Sequence, residues 1–333
     1  MRNYFSNLIH LLELLFALVF NIKKQRKFLD QTLGDDILNS RKNDDGSLDE
    51  HDYRKIKGYY GVAVTAMLGE SYCTLRGRKM SADERLSVTC LGACTGLFDD
   101  LFDKRNLPLE VIRKFIEIPY EVEGGNNYEK LFLTFVRKAL DHSANVPLVK
   151  KYAFEVYEAQ ILSKLQVSSE ISRERIWSIT QEKGGGSLLF YRSTFHENLS
   201  PEEVTMLRKL GAIGQLENDI FDVYKDHQAG VRTLATTTLK IEELRQLYMG
   251  LMNEVLALID HLPYPKKNKD TFKRINALFI CRGLVCLDFL EKNESLTNNT
   301  FKVEQYQRSQ LVCDMGKPYH FLKSIHYYAK TQI

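Results

Sequence analysis

A chain of 333 residues with 44% apolar side chains carries enough apolar mass for one large core or two smaller ones. Its 46 Lys and Arg against 43 Asp and Glu leave a formal net charge of +3, too balanced for a nucleic-acid binder, so no nucleic-acid partner is expected. The six cysteines (Cys73, Cys90, Cys94, Cys281, Cys286, Cys313) form no C-x-x-C pair and no zinc-finger spacing; most lie in apolar runs, which reads as buried thiols in a reducing, cytoplasmic setting.

With only 7 prolines and 19 glycines, long regular elements are expected. Leu8–Ile22 is apolar, interrupted by His10, Glu13 and Asn21, and is followed by Lys23, Lys24, Arg26 and Lys27. It is short for a membrane span of about 20 residues and no small-residue cleavage site follows it. Residues 1–30 therefore read as a first helix packed on the body of the protein. The alternative is a helix lying on the inner face of a membrane, its basic cluster on anionic lipid. Residues 31–333 read as a single all-α domain. Asp30–Glu50 is polar and reads as a loop with at most one short helix. Tyr53–Arg76 resumes an apolar periodicity. Ser81 and Glu84 make a capping box, opening a helix through Leu86, Val88, Leu91 and Leu97 to Asp103. Helices are then expected at about Leu109–Ile118, Tyr128–His142, Pro147–Leu165 and Ser172–His196. Ser200-Pro201-Glu202-Glu203 repeats the start signal. Ile241–His261 and Thr271–Asn293 complete a helical bundle with a mixed tail; no alternating strand pattern of useful length occurs.

Three stretches carry chemistry. In Gly211–Asp226, Asn218, Asp222 and Asp226 stand four apart, hence on one helix face. Like charges so spaced repel by roughly 0.2–0.5 kcal/mol per pair, which a cation between them would relieve; the plain alternative is a solvated acidic face. Asp99, Asp100 and Asp103 sit at the end of an apolar helix, among Leu97, Phe98, Leu101 and Phe102. A helix C-terminus already carries partial negative charge, so three aspartates there run against propensity. A divalent metal would offset that, and oxygen-only ligands suit Mg²⁺ with substrate phosphates. Two acidic faces on separate helices make a more specific signal than either alone. Finally, Lys183-Gly184-Gly185-Gly186 lies inside a helical pattern. Each Gly costs about 1 kcal/mol relative to Ala, so a break is expected, exposing backbone N–H groups beside Lys183 for phosphate, with Arg192 within reach. The alternatives are a plain turn and a surface arginine.

These residues resemble the class I isoprenoid (terpenoid) synthases. Phe98–Asp103 looks like their D-D-x-x-D motif. Asn218-Asp219-Ile220-Phe221-Asp222-Val223-Tyr224-Lys225-Asp226 is similar to the second metal motif of terpene cyclases, departing at Asp222 and Asp226. The run from Gln215 through Asp226 to Gly230 and Leu234 also resembles the second motif of squalene and phytoene synthases. Lys183 and its glycines are placed like the corresponding segment of prenyl synthases and of tetraprenyl-curcumene synthase-type cyclases. The likeness spans about Ser81–Leu234. It implies an all-α bundle of that type and three Mg²⁺ ions, held by Asp99, Asp100 and Asp103 and by Asn218, Asp222 and Asp226. It also implies a prenyl diphosphate gripped by Lys183, Gly185 and Arg192 or Arg232. The allylic cation would lie among aromatic faces, with Phe98, Phe102, Tyr60 and Phe190 as candidates. The leading expectation is cyclisation or rearrangement after diphosphate release, favoured by Asn218 and the triple glycine. Coupling of two prenyl diphosphates comes next, favoured by Asp222-x-x-x-Asp226; chain elongation is third, and an inactive helical scaffold is the reading from another class. A homodimer is compatible with all of these.

Overall fold

The computed structural model describes residues 2–333, with side chains from Tyr4 onward, and holds no strand among them. The all-α class is as expected. Helix α1 is Arg2–Lys42, far longer than expected. Asn7, Leu11, Gln25, Leu29, Leu33 and Ile37 are all buried at helical spacing, so one inner stripe continues through the polar segment. That packing overrides Gly34 and the acidic residues that made Asp30–Glu50 read as a loop. The boundary expected between residues 30 and 31 falls inside this helix. Only the inner face of α1 packs; Phe5, Ile9, Leu12, Phe16, Val19 and Phe20 are exposed.

Helix α2 (Glu50–Arg54) starts on a capping box between Asp49 and Asp52. The chain then widens into a π-helical segment, Lys55–Tyr60, passes one α turn at α3 (Gly61–Ala63), and widens again at Val64–Gly69 before α4 (Glu70–Arg76). Helix α5 (Ala82–Asp103) carries both bonds of the expected capping box. There follow α6 (Leu109–Glu117), α7 (Asn127–Asp141), α8 (Val146–Ser163) and α9 (Arg173–Arg192). Helix α10 (Pro201–Phe221) starts on Ser200 and Pro201 as read. Then come α11 (Val223–Gln228), α12 (Leu234–Thr237), α13 (Ile241–His261), α14 (Lys266–Glu294), α15 (Arg308–Leu311) and α16 (Pro318–Lys330).

The chain divides into two compact units. One comprises the residues up to Glu13, Ile161–Leu188 and Ser200–Ile333. Its core joins Leu207, Ile213 and Leu216 of α10 to Leu244 and Val255 of α13 and to Phe272 and Leu284 of α14. There the Tyr248 hydroxyl donates to the Ile280 carbonyl at 2.7 Å. The other comprises Leu14–Gln160 and Leu189–Leu199, centred on α5 packed against α7, with Val88, Leu91 and Leu97 beside Leu131, Phe132 and Phe135. All six cysteines are free and buried, as expected.

Candidate functional site

The acidic end of α5 sorts its three aspartates by direction. Successive helical residues point about 100° apart, so adjacent aspartates cannot share one environment. Asp100 turns inward, and its Oδ2 accepts from Lys55 Nζ and Lys104 Nζ, both at 2.8 Å. Burial pushes its pKa up, and the Lys104 and Lys55 bonds more than offset this, leaving it below the usual carboxylate range. Asp100 is thus engaged in ion pairs with both lysines. Asp99 is half-buried and accepts from Gln160 Nε2 of α8 at 2.6 Å; Asp103 is exposed.

One turn before Asp99, Thr95 shares a hydrogen bond of 2.6 Å with the Tyr191 hydroxyl. Burial raises the pKa of Tyr191, and the charge of Asp99 adds to that rise. Tyr60 crosses α5 at Gly96, where a Cβ would lie 2.9 Å from the Lys55 side chain and 3.1 Å from the Tyr60 ring. Gly96 is thus what lets the widened Lys55–Tyr60 segment approach the aspartates. Of the expected aromatic faces, Phe102 is core, packed edge-on to Phe98 at 5.2 Å and against Tyr157.

In the other unit, α10 ends at Phe221 and Asp222 occupies the joint before α11. The i+4 bonds continue across it: Asp222 N donates to Asn218 O and Asp226 N to Asp222 O, each at 2.8 Å. The helical face therefore survives the interruption. Gln215 and Asp219 meet α9, and Asp222 and Asp226 continue the same face at a 4-3-4 spacing, with Asp222 accepting from Lys225 Nζ at 3.2 Å. Asp219 is buried and accepts from Gln215 Nε2 at 2.8 Å and from Thr180 Oγ1 of α9 at 3.3 Å. Burial raises its pKa to about 6 against the Gln215 bond and the charge of Lys183. Asp226 is pushed to about 7, by burial first and then by the charges of Asp219 and Asp222. Asn218 lies exposed at the outer edge of this face. Asp219 is the residue the sequence reading missed.

The triple glycine does not break α9, which runs from Arg173 to Arg192. Gly184 instead sits where α9 crosses α10: a Cβ on it would lie 2.0 Å from the Gly211 carbonyl oxygen. Gly185 backs onto Arg208, its Cβ position 3.1 Å from that residue's Cα. Both are buried inside a helix whose N–H groups are used, so a backbone phosphate cradle at Gly185 is corrected to a close helix crossing. That crossing places Lys183 beside Asp219 and Asp226. Arg192 is fully buried, and its Nη2 donates to the carbonyls of Glu197 and Asn198 at 3.0 and 3.3 Å. Arg232 is held in the loop after α11 by Gln166, whose Nε2 donates to its carbonyl at 3.1 Å while its own N donates to Gln166 O at 2.7 Å. Its Nε is buried with no acceptor among the described residues.

Gly184→Ala is expected to force the crossing apart at a cost of roughly 1–3 kcal/mol. Gly214→Ala on α10, whose Cβ meets nothing within 4 Å, should be neutral or stabilising. Thermal melts of the two variants that coincide would show that the Gly184 contact is dispensable.

Among the described residues, the only group of three ligating side chains with atoms within 4.8 Å of one another is Asp49, His51 and Asp52. Asp49 and Asp52 are the two halves of the α2 cap: the Asp52 N–H donates to Asp49 at 2.8 Å and the Asp49 N–H to Asp52 at 3.2 Å. Helix capping accounts for that grouping. Compared with known protein families and with curated proteins, the chain matches no family model and no curated protein. What fold and site define is an all-α protein with an aspartate-rich helix end in one unit and a carboxylate–lysine cluster in the other.

Proposed function

We propose that this chain is a Mg²⁺-dependent isoprenoid synthase of class I, ionising a linear prenyl diphosphate with release of diphosphate and cyclisation or rearrangement of the carbocation. The observation that carries the reading is the gathering of Asp219, Asp222 and Asp226 on one helical face, with Lys183 acting on Asp219 and Asp226 and Lys225 bonded to Asp222 at 3.2 Å. Two of these carboxylates are held toward neutrality by burial, and the two ammonium groups near them, Lys183 and Lys225, do not outweigh it. Such a donor set fits a hard divalent cation with oxygen ligands. Asp222 and Asp226, with Asn218 at the edge, would hold metal in one unit; Asp99 and Asp103 would do so in the other. Bound Mg²⁺ supplies Lewis-acid stabilisation of the charge that develops on the leaving diphosphate. Lys183 adds a fixed positive charge, and the buried Nε of Arg232 offers a donor that lacks an acceptor. Tyr191, which feels the charge of Asp99, and Tyr60 near it would offer aromatic rings to a cation.

Coupling of two prenyl diphosphates is the second reading. The Asp222-x-x-x-Asp226 spacing supports it, whereas Asn218 in the second motif supports cyclisation. The first test is thermal shift with Mg²⁺, inorganic diphosphate, or both. Mg²⁺ is usually held by one or two carboxylates together with substrate phosphates and waters, and diphosphate requires the metal's charge near carboxylates, so the two should stabilise synergistically. Asp222→Ala should abolish the synergy and barely change metal-free stability. Merely additive shifts in the wild type, or synergy surviving in Asp222→Ala, would return the chain to a helical scaffold. Extracts from incubations with linear prenyl diphosphates of increasing length then separate cyclised from coupled products.

A further inference from the structure

The outer face of α1 is left unused by everything above. Phe5, Ile9, Leu12, Phe16, Val19 and Phe20 recur every three to four residues and form one exposed stripe, with Phe16 at 78% exposure. The same face continues into Lys23 and Lys27, flanked by Lys24 and Arg26, all exposed. Lys24 lies 3.6 Å from Glu70. Lys23, Arg26 and Lys27 pair with no carboxylate among the described residues. The opposite face is tied down. Asn7 Nδ2 donates to the Ala329 and Thr331 carbonyls at 3.2 and 2.9 Å, and Gln25 Nε2 donates to Thr89 Oγ1 at 2.7 Å.

We propose that α1 docks the protein on the surface of an anionic lipid bilayer, lying in the interface with its apolar stripe in the acyl boundary and Lys23, Arg26 and Lys27 at the headgroups. By length and composition α1 is the one helix among the described residues able to cross a membrane. Crossing would tear Asn7 and Gln25 from their buried partners. The stripe is also only about 24 Å long at about 1.5 Å per residue, short of a hydrocarbon core of about 30 Å. A stripe of large apolar residues with basic residues at one end is the composition of an interfacial helix. Charge complementarity selects the occupant. The acids of α1 nearest the stripe, Glu13 and Asp30, already bond His10 and Lys57, so the α1 of a second copy supplies little countercharge to the cluster. Anionic headgroups supply that charge along the whole basic end. The proposal does not rest on the enzymatic reading, since vesicle binding needs no turnover.

The test is flotation of the full-length protein with phosphatidylglycerol–phosphatidylcholine vesicles and with phosphatidylcholine alone, at low and high salt. Wild type should bind the anionic vesicles about tenfold or more tightly than the neutral ones, and salt should erase the difference. Phe16→Glu/Phe20→Glu alters only exposed positions, so its melting temperature should hold while flotation on both vesicle types is lost. Lys23→Gln/Lys27→Gln should lose the anionic preference and the salt dependence. The proposal is overturned if wild type fails to float with anionic vesicles, or if the glutamate double variant floats as well as wild type. It is equally overturned if the stripe instead forms a lipid-independent dimer that the glutamate variant dissolves.

Discussion

Arg78→Ala is expected to cost about 3–5 kcal/mol, the usual loss when one partner of a buried ion pair is removed. The Arg78 guanidinium grips Glu84 through paired bonds of 2.7 and 2.6 Å and also reaches Glu197. Glu84 is fully buried and accepts in addition from the backbone N–H groups of Ser81 and His196, each at 2.9 Å. Without Arg78 its charge stays inside, held by two amides alone. Glu197 is part exposed and can return to water, so Glu84 accounts for most of the loss. Acid behaviour follows from the same contacts. Burial alone would raise the Glu84 pKa, but Arg78 and the two amides bring it from 4.5 to about 2. The stability this confers is fully present above about 4.5 and is lost as pH falls toward 2. Urea unfolding should therefore show a steep acid limb in the wild type between those values. The limb should be shallower in Arg78→Ala, where the folded pKa moves back up. A loss under about 1 kcal/mol at neutral pH would mean that the start of α5 is held by other contacts.

Asp99→Ala should lower turnover on a prenyl diphosphate by a factor on the order of a hundred to a thousand, the scale seen when one preorganised electrostatic group is removed, while the fold survives. Asp100→Asn should show the reverse pattern. It breaks the bonds to Lys55 and Lys104, so it should lower the melting temperature while Asp99 and Asp103 keep most of the turnover. The two variants separate ligand from support within one D-D pair. Near-normal product formation in Asp99→Ala, or a stable but inactive Asp100→Asn, would exchange the roles assigned to the two residues.

Caps and periodicity made α5, α10 and α13 legible in advance. Ser81 with Glu84 and Ser200 with Pro201 mark local chemistry that tertiary packing had no reason to override. The continuation of α1 was hidden because its support comes from the burial of Leu33 and Ile37, not from the composition of the segment. The glycine run misled for a related reason. A sequence does not distinguish a glycine needed for a bend from one needed for a close neighbour, and Gly211, the neighbour of Gly184, lies on another helix. Asp219 was missed because a strict four-residue ladder selects Asn218, Asp222 and Asp226, whereas a 4-3-4 spacing from Gln215 defines an equally good face. Only packing against Thr180 and Lys183 decides between them. Likewise, nothing local to Asp100 announces Lys55.

The two π-helical segments bear on how the length of this chain can vary. A π turn closes from i to i+5 and so takes one residue more than an α turn. Losing one residue within Val64–Gly69 would restore a plain α turn and leave Tyr72, Cys73 and Leu75 on the buried face they already occupy. Losing one within Lys55–Tyr60 would not be silent, because that segment aims both Lys55 at Asp100 and Tyr60 across Gly96. Of two segments alike in backbone form, then, shortening the first would disturb the aspartates it serves, while shortening the second would disturb its own buried contacts, Thr65 with Thr89 among them.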